Sequence, residues 1–84
     1  MSSDSIRATV KDYILREFLP GERPESLPDT TPLTRGGIIT SIGMLKLVSF
    51  LEQHYGIHFR AHEMDELDTV SDIERVVAQK VAAR

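Results

Sequence analysis

Three histidines recur at intervals of four residues: His54, His58 and His62. On one continuous helix this spacing would place three imidazoles on one face, an arrangement that suits a metal ion. However, Gly56 separates the first two, and the pattern of apolar residues changes after it. Glu63 is the only carboxylate adjacent to the group, and nothing in the pattern fixes it as a ligand. We therefore predict no metal site and expect surface or partly buried histidines.

Other catalytic chemistry finds no support in the sequence. No Ser-His-Asp set can be proposed from sequence alone, and no glycine-rich phosphate loop follows a strand. The chain has no cysteine, which excludes disulfides, thiolate nucleophiles and cysteine metal sites. A helical domain of 84 residues has little room for a substrate pocket. We predict that the protein is not an enzyme and has no catalytic residues.

Charge excludes one class of partner and leaves a second open. The net charge is −3 and the ten basic residues are scattered, whereas nucleic-acid binding needs clustered Lys and Arg. An acidic run has two interpretations, a solvated face favoured by helix dipoles or a docking surface for a basic partner. Its members are Glu63, Asp65, Glu66, Asp68, Asp72 and Glu74.

One hydroxyl has an unusual setting. The sequence GGIITSIGML, residues 36–45, places Ser41 between apolar residues at the expected start of a helix. Ser41 is able to cap that helix, since serine is a favoured N-cap residue. Alternatively, its hydroxyl is held out for the attachment of another group.

The elements that position this serine are predicted to be helical. Apolar periodicity predicts helices over about 4–18, 41–55 and 71–84, with a short helix over about 61–67. Residues 20–40 contain four prolines and three glycines, so we expect a long loop. The predicted fold is all-α: a small antiparallel-type bundle of three main helices plus one short helix, in a single domain over residues 1–84.

Apolar residues mark the buried faces. Those expected to be buried are Ile6, Val10, Tyr13, Ile14 and Phe18 in the first helix, Leu27, Leu33, Ile38 and Ile39 in the loop, Met44, Leu47, Val48, Leu51 and Tyr55 in the second helix, and Ile73, Val76, Val77 and Val81 in the last. Gly56 is expected to end the second helix, and Ser71 with Glu74 fits a capping box for the last one.

Two apolar residues fall outside this scheme. Ile42 and Leu45 project away from the buried stripe of the second helix, onto the side that carries Lys46, Ser49 and Gln53. Either the long loop covers them, or they are exposed beside Ser41 and contact a partner.

The chain resembles an acyl or peptidyl carrier protein over nearly its whole length. The resemblance rests on TSIGMLKLVSFLEQHYGIHF, which begins at Thr40, and on the later segment LDTVSDIERVV. Carrier proteins have a helix, a long loop, an Asp-Ser-Leu-like signature that opens helix II, a helix exit with Tyr/Phe-Gly-Ile, and a Thr-Val-x-Asp/Glu-Ile/Leu segment that opens the last helix. Ser41 and Ile42 match the serine and leucine of the signature, and the order and spacing of all the segments agree.

The resemblance implies that Ser41 is esterified by 4'-phosphopantetheine from coenzyme A, whose thiol carries an acyl, aminoacyl or peptidyl group as a thioester. The implied partners are a phosphopantetheinyl transferase, a loading ligase or synthetase, and a downstream acceptor enzyme. Residues expected to contact partners are Thr40, Ile42, Leu45, Lys46 and Ser49. This role agrees with the absence of cysteine, because the thiol would come with the cofactor. The alternative is a helical interaction module with a carrier-like fold that is never modified, in which Ser41 is only an N-cap.

The chain departs from the family pattern at Thr40, which stands where an acid usually precedes the serine. Residues 41–55 also hold only Lys46 and Glu52 as charged residues, so the acidity of this helix is missing. We infer a dedicated set of partners and a stand-alone, monomeric carrier encoded beside a specialised ligase or synthetase. The first residues have no apolar signal core and no stretch is long enough to span a bilayer, so we predict a cytoplasmic protein.

Overall fold

The computed structural model describes residues 3–83, which form four α-helices and one short 3-10 turn, with no strand in that range. The α-helices are α1 (Ser3–Phe18), α2 (Ser41–Tyr55), α3 (Ala61–Met64) and α4 (Val70–Ala83), and the 3-10 turn is Pro24–Ser26. The predicted all-α bundle, with a long loop between its first two helices, is confirmed. The short third helix ends at Met64, three residues before its predicted end.

One hydrophobic core joins the helices and the loop. Helix α1 packs mainly against α4 and to a smaller extent against α2. The predicted buried faces are confirmed, except that Tyr13, Phe18, Ile38 and Val81 are only partly buried. The fully buried side chains with the largest volumes are Ile6, Val10, Ile14, Leu27, Leu33, Ile39, Leu47, Leu51, Val70, Ile73 and Val77.

The long loop is fastened to the entry of α4 rather than projecting from the bundle. The Leu33 N–H donates to the Asp68 carbonyl at 2.7 Å, and the Ser71 N–H donates to the Asp29 carbonyl at 3.0 Å. Lys11 of α1 adds an ion pair of 3.0 Å to the Asp29 carboxylate. The loop aliphatics pack onto the core, as predicted. Backbone hydrogen bonds on the same segment define the path of the loop.

The cap of α4 differs from the prediction. The Thr69 hydroxyl accepts from the Asp72 N–H at 3.1 Å, and the Asp72 carboxylate accepts from the Thr69 N–H at 3.2 Å. These reciprocal bonds are a capping box, so the box predicted at Ser71 and Glu74 is wrong by two residues. Burial raises the pKa of Asp72, but hydrogen bonds from Arg75 and Thr69 outweigh it, and the net effect is a lowered pKa.

Helix α3 has only four residues, and a carboxylate connects it to α4. The Glu63 carboxylate accepts from the Lys80 ammonium at 2.8 Å and from the Arg60 N–H at 2.7 Å. These two bonds stabilise the ionised form and lower the pKa of Glu63.

In the described part of the chain, no helix combines the length and the apolar character needed to cross a membrane.

Candidate functional site at the start of helix α2

Thr40, rather than Ser41, caps helix α2. Thr40 has extended backbone angles, and its hydroxyl accepts from the Gly43 N–H at 3.0 Å. Ser41 is the first residue of the helix and is exposed. The hypothesis that Ser41 serves only as an N-cap is therefore wrong, because its neighbour satisfies the backbone group that a cap must reach.

A tight turn at the two glycines carries the chain from the loop into α2. Gly37 has a φ of +78°, in the left-handed region that favours glycine. The Ile38 and Ile39 N–H groups both donate to the Leu33 carbonyl, at 2.9 and 3.0 Å. A Cβ on Gly36 would overlap the carbonyl oxygen of Pro32, so this position has no room for a side chain. The turn buries Ile39 and leaves the next two residues, both with hydroxyl groups, at the surface.

Gly43 is a site residue that our sequence analysis missed. It is buried in the first turn of α2, where a Cβ would lie 2.9 Å from the Ile39 Cγ2 and 2.9 Å from the Phe18 Cε1. The glycine therefore lets the start of α2 approach both the loop and α1. A glycine two positions after the serine, inside a helix where glycine is unfavourable, was the signal available in the sequence.

Helix α2 follows the predicted boundaries and stripe. Gly56 adopts the left-handed conformation as its C-cap, and every residue of the predicted stripe is buried. The loop does not cover the two remaining aliphatics, since Ile42 is 70% exposed and Leu45 is 56% exposed. The other residues predicted to contact partners are exposed as well, namely Thr40, Lys46 and Ser49.

A groove of about 620 Å³ lies beside the exposed serine. It runs between the start of α2, the loop and the link from α3 to α4, and its lining residues are Thr34, Arg35, Ser41, Met44, Leu45, Met64, Asp65, Leu67 and Asp68. Arg35 is the only basic residue among them. Hydrogen bonds to the Asp68 carboxylate raise the pKa of Arg35, so its guanidinium is charged throughout the ordinary pH range.

Most of the acidic run is paired within the bundle. Asp72 contacts Arg75 at 3.2 Å, Glu74 contacts Arg7 at 3.7 Å, and the pairs of Glu63 and Asp68 are given above. Asp65 and Glu66 are exposed at the end of α3, and Asp65 lines the groove. The run is thus largely a set of internal ion pairs, with two exposed carboxylates after α3, of which Asp65 lies in the groove beside the serine.

The histidines lie on different segments of the chain. His54 is on α2 and stacks on Phe50 with ring centroids 5.3 Å apart, while His58 follows the helix end and places its Nδ1 3.2 Å from Glu52. His62 is on α3. Within residues 3–83, no group of three His, Cys, Asp or Glu side chains has an arrangement that could hold a metal ion.

Comparison with known proteins identifies one family. A family model described as a phosphopantetheine attachment site matches residues 14–77. The matched segment contains all of α2, the loop and every residue that lines the groove. A comparison with curated proteins finds no match.

Proposed function

Because the chain belongs to the family of proteins with a phosphopantetheine attachment site, we propose that it is a carrier and that Ser41 holds its cofactor. The domains of this family are non-catalytic carriers of covalently attached 4'-phosphopantetheine. The observation that carries the choice of residue is the exposed hydroxyl of Ser41 in the first turn of α2. Its neighbour Thr40 supplies the cap, which leaves the Ser41 hydroxyl available for esterification.

The residues around Ser41 fit a phosphate ester. The first N–H groups of a helix have no carbonyl partner within it. Here the Thr40 hydroxyl accepts from that of Gly43, which leaves those of Ser41 and Ile42. Together with the helix dipole, such groups favour an anion at this position. Arg35 places a guanidinium in the adjoining groove, where it pairs with Asp68. Ser41 is exposed, so a transferase has access to its oxygen.

The contribution of this chain is to hold the phosphopantetheine arm, present it to partner enzymes and orient it. The Ser41 oxygen forms a bond to the pantetheine-bearing phosphorus of coenzyme A as the pyrophosphate bond breaks. Adenosine 3',5'-bisphosphate leaves with the electron pair of that bond, and the serine proton is released to solvent. The cofactor supplies a thiol, which carries an acyl, aminoacyl or peptidyl group as a thioester. The close approach of Gly43 to α1 and the loop places the attachment point against the bundle. The exposed residues Ile42 and Leu45 offer apolar contacts beside it.

The partners follow from this role. A phosphopantetheinyl transferase attaches the arm, a ligase or synthetase loads it, and an acceptor enzyme removes the cargo. Helix α2 lacks the usual acid before the serine, and its exposed surface near Ser41 is apolar and weakly charged, which supports a dedicated set of partners. We propose one monomeric carrier domain that works in the cytoplasm with these enzymes.

The absence of cysteine makes the proposal directly testable. After incubation with coenzyme A, magnesium and a broad-range transferase, a thiol reagent should report one thiol per chain. The untreated protein and a treated Ser41→Ala variant should report none. Ser49→Ala is the matched control, since this serine is also exposed on α2 but lies two turns further along, and it should gain one thiol. A thiol on treated Ser41→Ala, or none on the treated wild type, contradicts the proposal.

A further inference from the structure

We propose that Arg35 binds the phosphodiester of the attached arm and that Asp68 presents its guanidinium for this purpose. The inference rests on the proposed attachment at Ser41, which lines the same groove as both residues. It assigns a phosphate-binding role to a residue of the long loop, which stands six positions before Ser41 in the sequence and lines the same groove.

The geometry of the guanidinium leaves one edge free. Arg35 directs its Nε to Asp68 Oδ1 at 3.4 Å and its Nη2 to Asp68 Oδ2. Arginine has five N–H donors in a planar fork, and this pair uses two of them along one edge. The Nη1 group and the second Nη2 hydrogen form the other edge, which matches the oxygens of a phosphate. The arginine can therefore bind a phosphate without releasing Asp68.

The exposure of the two side chains agrees with these roles. The Arg35 side chain is 76% exposed and the Asp68 side chain is 24% exposed. Asp68 is held in place, because its carbonyl accepts from the Leu33 N–H of the same loop. The Asp68 carboxylate thus holds the guanidinium in one position, whereas the Arg35 side chain extends into solvent at the edge of the groove.

The negative charge of the groove gives Arg35 an electrostatic role. The groove is lined by two carboxylates, Asp65 and Asp68, and a phosphodiester on Ser41 brings a third negative charge beside them. Arg35 is the only basic residue of the lining, so it alone offsets this repulsion from within the groove. Without it, the phosphodiester would face the two carboxylates with no opposing charge in the groove, which favours an arm that points away from it.

The test compares modified proteins by nuclear magnetic resonance, after intact mass has established one arm on Ser41 in each. In the wild type, the ³¹P signal of the phosphodiester should differ from that of the same modified protein unfolded in urea, and modification should shift the Arg35 Nε–H signal. Arg35→Gln should move the ³¹P signal of the folded protein toward the unfolded value, and Arg35→Lys should move it partway, because lysine keeps the charge without the fork. Added salt should move the wild-type signal in the same direction, since an exposed pair is screened.

Arg75→Gln is the matched control, because Arg75 also pairs with an aspartate at 3.2 Å but lies on α4, outside the groove lining. Its ³¹P signal should equal that of the wild type. Equal ³¹P signals in Arg35→Gln and the wild type, or an Arg35 Nε–H signal that modification does not shift, overturn the role of Arg35 alone. If Arg35→Gln does not fold, the wild-type Nε–H signal and Arg35→Lys still decide. Modification that persists in Ser41→Ala overturns the proposed function as well.

Discussion

Truncation of two leucines on α2 separates the residues that hold the fold from those available to partners. Leu51 is fully buried, so Leu51→Ala removes its packing and leaves a cavity, at a cost of about 2–5 kcal/mol. Leu45 is 56% exposed, and less than half of its side chain returns to water on truncation. Since complete burial of a leucine is worth about 1.5–3 kcal/mol, Leu45→Ala should cost about 1 kcal/mol. A small domain has only about 5 kcal/mol to lose, so the first variant approaches unfolding and the second does not.

Urea unfolding followed by circular dichroism measures both costs, and the rate of modification by a transferase measures recognition. Leu45→Ala should remain folded and be modified more slowly than the wild type. Gln53→Ala is the control for an exposed α2 side chain that adds no apolar contact, and it should change neither property. If Leu45→Ala loses as much stability as Leu51→Ala, Leu45 belongs to the core and the argument for an apolar contact beside Ser41 fails. An unchanged rate of modification would show that the transferase does not use Leu45.

Three further predictions concern stability. Gly43→Ala should destabilise the fold by about 1–3 kcal/mol in urea unfolding, because its Cβ would overlap Phe18; a more stable variant would contradict this packing. Thr40→Ala should cost about 0.5–2 kcal/mol through loss of the cap. Thr40→Asp should instead gain about 0.3–1 kcal/mol from charge at the helix start, and a loss comparable to that of alanine would contradict the cap assignment. Because the pKa of Glu63 is lowered in the folded protein, its carboxylate contributes to stability. This contribution is complete above the ordinary pKa of 4.5 and is lost as the pH falls through the lower pKa of the folded state. Glu63→Gln should therefore flatten the acid side of the stability profile, and an unchanged profile would refute the contribution of the bond from Lys80.

Helix α2 shows how far local pattern determines the site. Its ends at Ser41 and Tyr55 and its buried stripe agree with the sequence prediction, whereas the sequence left open whether the loop covers Ile42 and Leu45. These features depend on helical periodicity and on a glycine stop signal, both of which are local properties of the chain. The same local rules predicted an all-helical bundle with a long loop.

The errors lie where tertiary contacts choose between local alternatives. Thr69 and Ser71 each have an acid three residues later, so either pair could form a capping box. The fold selects Thr69, and the Ser71 N–H bonds instead to the carbonyl of Asp29 in the distant loop. Likewise, the approach of Gly43 to α1 and the position of Arg35 beside the groove depend on the path of the loop, which no local periodicity describes.

The intact mass of the protein is the most direct test of the central claim that Ser41 carries the cofactor. With coenzyme A, magnesium and a broad-range transferase, the wild type should gain the mass of one phosphopantetheinyl group. Ser41→Ala should gain none while it remains folded, because Thr40 and not Ser41 caps α2. An adduct that persists in Ser41→Ala, or a wild type that several transferases leave unmodified, would contradict the account.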